Sequence, residues 1–201
     1  MKEQVFFDFD GTLVKFDSFV RFGRYSLPWY SFVKGLVLSI PWLTWWKLGL
    51  CSSSKAKEHL FSYWFKGLDI INFRHKCESF ADEIDRNLNA KVISELLRHK
   101  KMGREIIIIS ASISNWIIPW ASRHSIETVI ATEADVSPDG IITGKFATPN
   151  CLGEEKIRRI ALLYPHFKRE NSWAYSDSES DRPLLQYVTH GFTVRKGQII
   201  K

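Results

Sequence analysis

The chain has 201 residues, a length that allows one domain or one core with a small insertion. Apolar residues make up 45% of the chain and aromatic residues 14%, with only 11 glycines and 7 prolines, so the composition excludes collagen-like, low-complexity and disordered proteins. The whole net charge of +6 lies in residues 15–66, which carry eight cations and two anions.

Tryptophan is concentrated in this same basic segment, which holds five of the eight tryptophans: Trp29, Trp42, Trp45, Trp46 and Trp64. Basic and aromatic residues together indicate an anionic surface, either a membrane face or single-stranded nucleic acid. Nucleic-acid sites interleave aromatic residues with many cations, whereas residues 35–46 contain no charge. We therefore expect no nucleic-acid partner.

Four short runs of mostly β-branched or aromatic residues predict buried strands. These runs are residues 5–9, 106–109, 128–131 and 173–175. Apolar residues at helical spacing predict helices between them at residues 90–98 and Glu154–Leu163. The alternation of strands and helices predicts an α/β fold with a Rossmann-like parallel sheet.

Two segments do not follow this alternation. Residues 15–85 show helical patterns alone, so we predict a helical insertion after the first strand that forms a cap. The predicted domains are a core of residues 1–14 and 86–201 and a cap of residues 15–85. The sequence Ser137-Pro138-Asp139-Gly140 is typical of a tight turn and predicts a small antiparallel hairpin.

Polar side chains lie at the carboxyl ends of three of the four predicted strands, and a lysine opens the helix before the last one. These residues are Asp8 and Asp10 at the first strand, Ser110 at the second, Lys156 on the helix, and Asp177 and Asp181 at the fourth strand. Because ligands bind beyond the carboxyl ends of parallel strands, we expect these side chains to converge on one spot.

The spacing and type of these residues predict phosphate chemistry. Asp8 and Asp10 are two apart on an extended chain and therefore project to one side, and Gly11 lets the backbone turn away. Near Asp177 they would repel one another without a cation, so we predict Mg²⁺, which accepts oxygen ligands and substrate phosphate. A carboxylate nucleophile, a dication, a lysine and a hydroxyl are what phosphoryl transfer through an aspartyl-phosphate requires. The predicted neutral donors for phosphate are Ser110 and the amides around Gly11, Thr12 and Ala111.

Four segments resemble, in order, the four motifs of the haloacid dehalogenase superfamily of phosphatases. They are DFDGTL at residues 8–13, SAS at 110–112, GEEK at 153–156 and SDSESD at 176–181. The predicted insertion lies where the phosphoserine-phosphatase-like branch of that superfamily carries its cap. The resemblance therefore covers the whole predicted core and implies an Mg²⁺-dependent phosphatase.

The resemblance also implies a role for each motif residue. Asp8 would be the nucleophile and a metal ligand, and Asp10 the general acid and then base, with its backbone carbonyl on Mg²⁺. Ser110 and Lys156 would hold the transferring phosphoryl group. The implied metal ligands are Asp8, Asp10, Asp177 and Asp181, the last acting through water.

Residues 25–50 bear on the substrate, because they are almost entirely apolar and aromatic. Pro28, Lys34, Pro41 and Lys47 break this run, so we do not expect it to span a membrane. It forms either the core of a helical cap or an interfacial element that contacts a membrane peripherally. The run, together with NCLGEEK at residues 150–156, resembles the phosphatidylglycerophosphatase C family, which implies a phospholipid substrate.

Two alternatives to a lipid phosphatase remain. One is a phosphatase for a phosphorylated small molecule such as phosphoserine, because Asp17 lies where phosphoserine phosphatases carry a glutamate that contacts the substrate amine. Asp17 is a shorter acid, Ser180 replaces their usual asparagine, and Asp17 could instead serve as a hinge of the cap. The other alternative is a membrane-surface scaffold that has lost catalysis.

The cysteines and the start of the chain predict the compartment. Cys51, Cys77 and Cys151 are few, odd in number and widely spaced, which favours reduced thiols in the cytoplasm. The first apolar run, residues 5–7, ends in an acid, so we expect no signal peptide. The expected location is cytoplasmic, with peripheral contact at the inner membrane face under the lipid interpretation.

Overall fold

The structure is a computed structural model that describes residues 2–200. Its strands are β1 (Gln4–Phe7), β2 (Glu105–Ile113), β3 (Thr128–Thr132), β4 (Ala134–Val136), β5 (Ile142–Phe146), β6 (Ser172–Ser176), β7 (His190–Arg195) and β8 (Gln198–Ile200). Six of them form one sheet in the order β3-β2-β1-β6-β7-β8. Neighbouring strands of this sheet are parallel except β7 and β8, which confirms the predicted α/β fold with a mostly parallel sheet.

Both faces of the sheet are covered by helices. Val5 and Phe7 of β1 point into the apolar cluster that includes helices α5 (Ala90–Lys101) and α6 (Ser114–Arg123). Phe6 points into a second cluster, which includes Ile160 of α7 (Glu154–Leu163) and Leu184 of α8 (Arg182–Tyr187). Strands that are buried on both faces read as continuous apolar runs, which is why the sequence pattern located them.

Four helices lie between β1 and α5, where the sequence predicts a helical insertion. They are α1 (Ser18–Ser26), α2 (Trp29–Lys47), α3 (Ser53–Phe65) and α4 (Ile70–Asp85). Their buried aromatic residues belong to the same apolar cluster as one face of the sheet. The Nε1 of Trp120 on α6 donates to Asp85 Oδ1 on α4 at 2.8 Å, which ties the insertion to the sheet-covering helix.

Strands β4 and β5 form the predicted hairpin around Ser137-Pro138-Asp139-Gly140. Its backbone bonds to the connection between α3 and α4: Gly67 N donates to Ile142 O at 2.9 Å, and Ile70 N to Gly140 O at 2.8 Å. The predicted domain boundaries assign the hairpin to the core, but the hairpin hydrogen-bonds to the insertion. The predicted domain boundaries remain a proposal.

Helix α2 is one continuous helix of 19 residues, and Pro41 lies inside it without ending it. Proline removes one backbone donor, and the carbonyl left without that donor belongs to Val37, which is exposed to solvent. Only Phe32, Gly35 and Ser39 of α2 are buried. None of the helices described for residues 2–200 is both long and apolar enough to cross a membrane.

Candidate active site

Strand β1 ends at Phe7, two residues before its predicted end. Gly11 adopts a φ of +68°, and Val14 N donates to Phe9 O at 3.1 Å, so the chain turns tightly after the strand. Asp8 and Asp10 therefore lie in this turn and not on an extended strand, where the spacing argument placed them. The turn still brings both carboxylates into one cleft.

This cleft, with a volume of about 420 Å³, lies at the carboxyl edge of the sheet. Nine of the ten predicted site residues line it: Asp8, Asp10, Gly11, Asp17, Ser110, Ala111, Lys156, Asp177 and Asp181. Thr12, the tenth, is buried behind it. The convergence predicted from the strand ends is therefore present in the structure.

Lys156 holds two of the carboxylates. Its Nζ donates to Asp8 Oδ1 at 2.8 Å and to Asp181 Oδ2 at 2.5 Å, and its side chain is buried. Lys156 lies in the first turn of α7. The N-cap of this helix is Gly153, whose φ is +58°. Burial alone would lower the pKa of Lys156, but the two carboxylates raise it above its usual range, so the lysine is charged.

The acids of the cleft are crowded. Burial, opposed by Lys156, raises the pKa of Asp8 to about 7. Burial and the nearby carboxylate of Asp17 raise the pKa of Asp10 to about 6. The pKa of Asp177 is also raised by burial. Lys156 alone does not balance this negative charge, so a bound cation would favour the ionised acids.

The N-terminus of α1 orients Asp10. The backbone N–H of Ser18, the first residue of α1, donates to Asp10 Oδ1 at 2.9 Å. Asp17 is the N-cap, and its Oδ1 accepts from Val20 N at 3.0 Å. Asp17 therefore both caps the first helix of the insertion and lines the cleft, so the substrate-contact and hinge interpretations of this residue both remain predictions.

Strand β2 presents the hydroxyl of Ser110 to the cleft and continues to Ile113, beyond its predicted end. Ser110 Oγ accepts from Ser112 N at 3.0 Å, which leaves the hydroxyl proton of Ser110 available to donate to a phosphate oxygen. The carbonyl of Ala111 accepts from Lys57 Nζ at 2.8 Å and from Thr132 Oγ1 at 2.9 Å. These contacts hold the segment in place beside Asp8.

Thr12 and Gly11 position Asp177. Thr12 Oγ1 donates to Asp177 Oδ1 at 3.2 Å and accepts from Asp177 N at 3.0 Å. A Cβ atom at Gly11 would lie 2.0 Å from Asp177 Oδ2, so only glycine allows this approach. The side chain of Thr12 thus supports an acid of the cleft, and binding of phosphate by its amide stays a prediction.

The donor set fits Mg²⁺. Asp181 Oδ1 is buried and has no hydrogen-bond partner among residues 2–200, while Asp181 Oδ2 accepts from Lys156 and from Ser176 Oγ. Within residues 2–200, no three His, Cys, Asp or Glu side chains form a metal cage. Mg²⁺ does not need one, because it usually keeps waters and uses one or two carboxylates with substrate phosphate. Asp8, Asp177 and the carbonyl of Asp10 could supply its protein ligands.

Lys57 is a cleft residue that the sequence analysis missed. It lies on α3, where its Nζ is 4.9 Å from the centre of the Phe19 ring in addition to its bond to Ala111. Burial lowers its pKa, against the attraction of Asp10 and Asp17. Lys57 does not follow a strand, and nothing in the pattern of α3 distinguishes it from the other lysines of the basic segment.

Comparison with known proteins identifies the family. Residues 5–186 match the haloacid dehalogenase-like hydrolase family. The histidinol-phosphatase of Neisseria meningitidis serogroup C is 28% identical over 221 residues, which cover 96% of this chain and 90% of that protein.

Solved structures share the fold. A crystal structure of a protein of unknown function from Bordetella pertussis Tohama I has a TM-score of 0.76 and 23% identity, covering 94% of this chain and 88% of that one. A phospho-aspartyl intermediate analogue of phosphoserine phosphatase has a TM-score of 0.59 and 16% identity, covering 96% and 85% of the two chains. The chain is an enzyme of the phosphatase type and belongs to the haloacid dehalogenase-like hydrolase family.

Proposed function

We propose that the chain is an Mg²⁺-dependent phosphomonoester hydrolase that forms an aspartyl-phosphate on Asp8. The observation that carries the proposal is the position of Lys156, whose Nζ contacts both Asp8 and Asp181. The same cleft holds Asp10 as a second acid and Ser110 as a neutral donor. A nucleophile, an acid, a cation and a hydroxyl are thus available within one site.

The first half of the reaction uses Asp8 and Asp10. The Asp8 carboxylate attacks phosphorus, the ester P–O bond breaks, and Asp10 gives its proton to the leaving oxygen. A pKa of about 6 allows Asp10 to carry that proton in part of the molecules near neutral pH. Lys156 and Ser110 donate to the phosphoryl oxygens, and bound Mg²⁺ would neutralise their charge.

The second half releases phosphate. Asp10, now a carboxylate, takes a proton from water as the water oxygen attacks phosphorus. The bond between phosphorus and Asp8 breaks, inorganic phosphate leaves, and both acids return to their starting states. The bond from Ser18 N to Asp10 Oδ1 keeps the acid in one orientation through both steps.

Replacing Asp8 tests this reaction. Asp8→Asn should abolish the Mg²⁺-dependent hydrolysis of an aryl phosphate while the circular dichroism spectrum stays that of the wild type. Asp139→Asn, at an exposed acid in the hairpin turn, is the matched control and should keep full activity. Hydrolysis by purified Asp8→Asn at the wild-type rate would contradict the proposal, and inactivity of the wild type would favour the scaffold alternative.

A phosphorylated small molecule is the first candidate substrate class. Asp17 and Lys57 bring opposite charges to the cleft, and neither has a role in the two chemical steps. Such a pair suits a polar leaving group that carries both an amine and an anionic group. The names of the related histidinol-phosphatase and of the phosphoserine phosphatase that shares the fold support this class.

A lipid phosphate such as phosphatidylglycerophosphate is the second candidate, because α2 presents an apolar face that no other part of residues 2–200 covers. Its exposed side chains include Trp29, Tyr30, Val37, Ile40, Trp45 and Trp46. No acidic residue occurs between Asp17 and Glu58, so the surface suits an anionic membrane. The protein would then lie peripherally at the cytoplasmic face, and the resemblance to the phosphatidylglycerophosphatase C family agrees with this candidate.

Two measurements separate the candidates. The first compares kcat/KM for phosphoserine, histidinol phosphate and phosphatidylglycerophosphate in vesicles. The second is co-sedimentation with phosphatidylglycerol vesicles at low salt, using Trp45→Ser and Trp46→Ser as variants and phosphatidylcholine vesicles as the control. Preference for a water-soluble ester, together with no sedimentation, would rule out the lipid candidate.

A further inference from the structure

Asn89 lies where the chain returns from the helical insertion to the sheet, directly before α5. Its side chain is buried, and its Nδ2 donates to three carbonyls of the turn after β1: Gly11 at 3.2 Å, Thr12 at 2.7 Å and Val14 at 3.3 Å. Its backbone N–H donates to a fourth carbonyl, that of Leu13, at 2.8 Å. This single residue therefore binds the carbonyls of the whole turn that follows Asp10.

The side chain of Asn89 does not do what asparagine normally does at this position. Asn89 is the N-cap of α5, where an asparagine oxygen usually accepts a hydrogen bond from the first turn of the helix. No such bond is present at Asn89. The side-chain amide points into the turn after β1, so it hydrogen-bonds to that turn and does not cap α5.

The turn depends on this donor. Thr12, Leu13 and Val14 are fully buried, and a buried carbonyl without a partner is costly. Two acids of the cleft depend on the turn, since Asp10 directly precedes it and Thr12, within it, holds Asp177. A shift of the turn would therefore move both acids.

Asp8 would not follow such a shift. Its backbone N–H donates to Tyr175 O at 2.9 Å, which anchors it to the neighbouring strand β6. Lys156 and Ser110 also lie on elements that Asn89 does not contact through its side chain. The position of the general acid relative to the nucleophile thus depends on Asn89, whereas the positions of Lys156 and Ser110 do not.

We propose that Asn89 is a positioning residue of the phosphatase, which places Asp10 and the Thr12–Asp177 pair relative to Asp8. Asn89 acts through the carbonyls of the turn and touches no reacting atom. The inference rests on the proposed function, because it assigns Asn89 to the geometry of that reaction.

Asn89→Asp tests the inference, since it replaces the donor by an oxygen of nearly the same size. A misplacement of about 1 Å costs on the order of 100-fold in rate, so we expect kcat for an aryl phosphate to fall by about 10- to 100-fold. KM should change by less than about 3-fold, because Lys156 and Ser110 keep their places. The matched control is Asn87→Asp, because Asn87 Nδ2 donates to Glu83 O within α4 at the same hinge.

The Tm of each variant, measured by thermal unfolding, reports loss of stability, and kcat, measured well below that Tm, reports loss of positioning. Gly197→Ala is a second route if Asn89→Asp does not fold, because a Cβ at Gly197 would lie 2.8 Å from Asn89 Oδ1 and displace the amide. A lower kcat in a folded variant supports the inference. An unchanged kcat in folded Asn89→Asp or Gly197→Ala, with only Tm lowered, overturns it. Inactivity of the wild type would instead overturn the proposed function.

Discussion

Lys156 Nζ lies 2.8 Å from Asp8 Oδ1, although the two residues are 148 positions apart in the chain. The contact joins the turn after β1 to the first turn of α7, at the edge of the sheet where parallel strands end. Because the ammonium also contacts Asp181, one buried cation serves two buried carboxylates. The acids of the site are therefore arranged around this lysine.

Removing this ammonium should cost both activity and stability. Lys156→Met deprives the transferring phosphoryl group of a donor, and loss of one such donor typically lowers kcat by about 10²- to 10³-fold. It also leaves two buried carboxylates unpaired, so we expect a lower Tm. Aryl phosphate turnover and thermal unfolding measure the two effects, with the exposed Lys145→Met as the control. Near wild-type turnover in Lys156→Met would contradict the assigned role.

Turnover should require glycine at position 11, because only a residue without a side chain fits beside Asp177. In Gly11→Ala the new Cβ would meet Asp177 Oδ2 at 2.0 Å, so the Asp177 carboxylate must leave its position in the cleft. We expect Mg²⁺-dependent turnover to fall by about 100-fold or more, as measured with an aryl phosphate. Gly67→Ala is the matched control, because its φ of +87° carries similar backbone strain but no atom lies within 4 Å. Each variant should lose about 1 kcal/mol of unfolding free energy, and equal activity in both would contradict the prediction.

The motif residues and the sheet could be predicted because they depend on local patterns. A strand buried on both faces has an apolar run, and parallel strands place their carboxyl ends at one edge, so Asp8 and Asp177 were expected to meet. Lys57 and Asn89 could not be predicted in this way. Their roles depend on how the insertion packs against the sheet, which is determined by contacts between residues distant in the chain and not by a sequence period.

Substrate selectivity should depend on Lys57. Its ammonium reaches the cleft from α3 but contacts Ala111 O, not the nucleophile. Thr132 Oγ1 also donates to that carbonyl, so Lys57→Met should leave the segment and the chemistry in place. For an ester whose leaving group carries a carboxylate, such as phosphoserine, kcat/KM should fall by about 10-fold, the effect of one charge-assisted hydrogen bond. An aryl phosphate without that group should lose less than about 3-fold. The control is Lys55→Met at an exposed position of the same helix, and equal losses for both esters would refute selectivity at Lys57.

His99 is a buried histidine whose protonation state is determined by its neighbours. Arg104 Nη1 donates to His99 Nδ1 at 2.8 Å, so that nitrogen is an acceptor and the proton resides on Nε2, 2.9 Å from the hydroxyl of Tyr175. The hydroxyl in turn donates to Glu95 Oε1 at 2.9 Å. Burial, together with the charges of Arg98 and Arg104, lowers the pKa of His99 to about 4.

Stability should therefore fall in acid through His99. In the unfolded chain its pKa is about 6.5, so between pH 6.5 and 4 the unfolded state binds more protons than the folded state, and unfolding free energy is lost as the pH drops. The expected loss is about 3 kcal/mol by pH 4.

Urea unfolding of the wild type and of His99→Gln between pH 7 and pH 4 measures this loss. The raised pKa values of Asp8 and Asp10 act in the opposite direction but equally in both proteins, so the difference between the two isolates His99. If that difference stays constant from pH 7 to pH 4, His99 is not the group responsible, because a neutral buried imidazole must lose stability as its unfolded form takes up a proton.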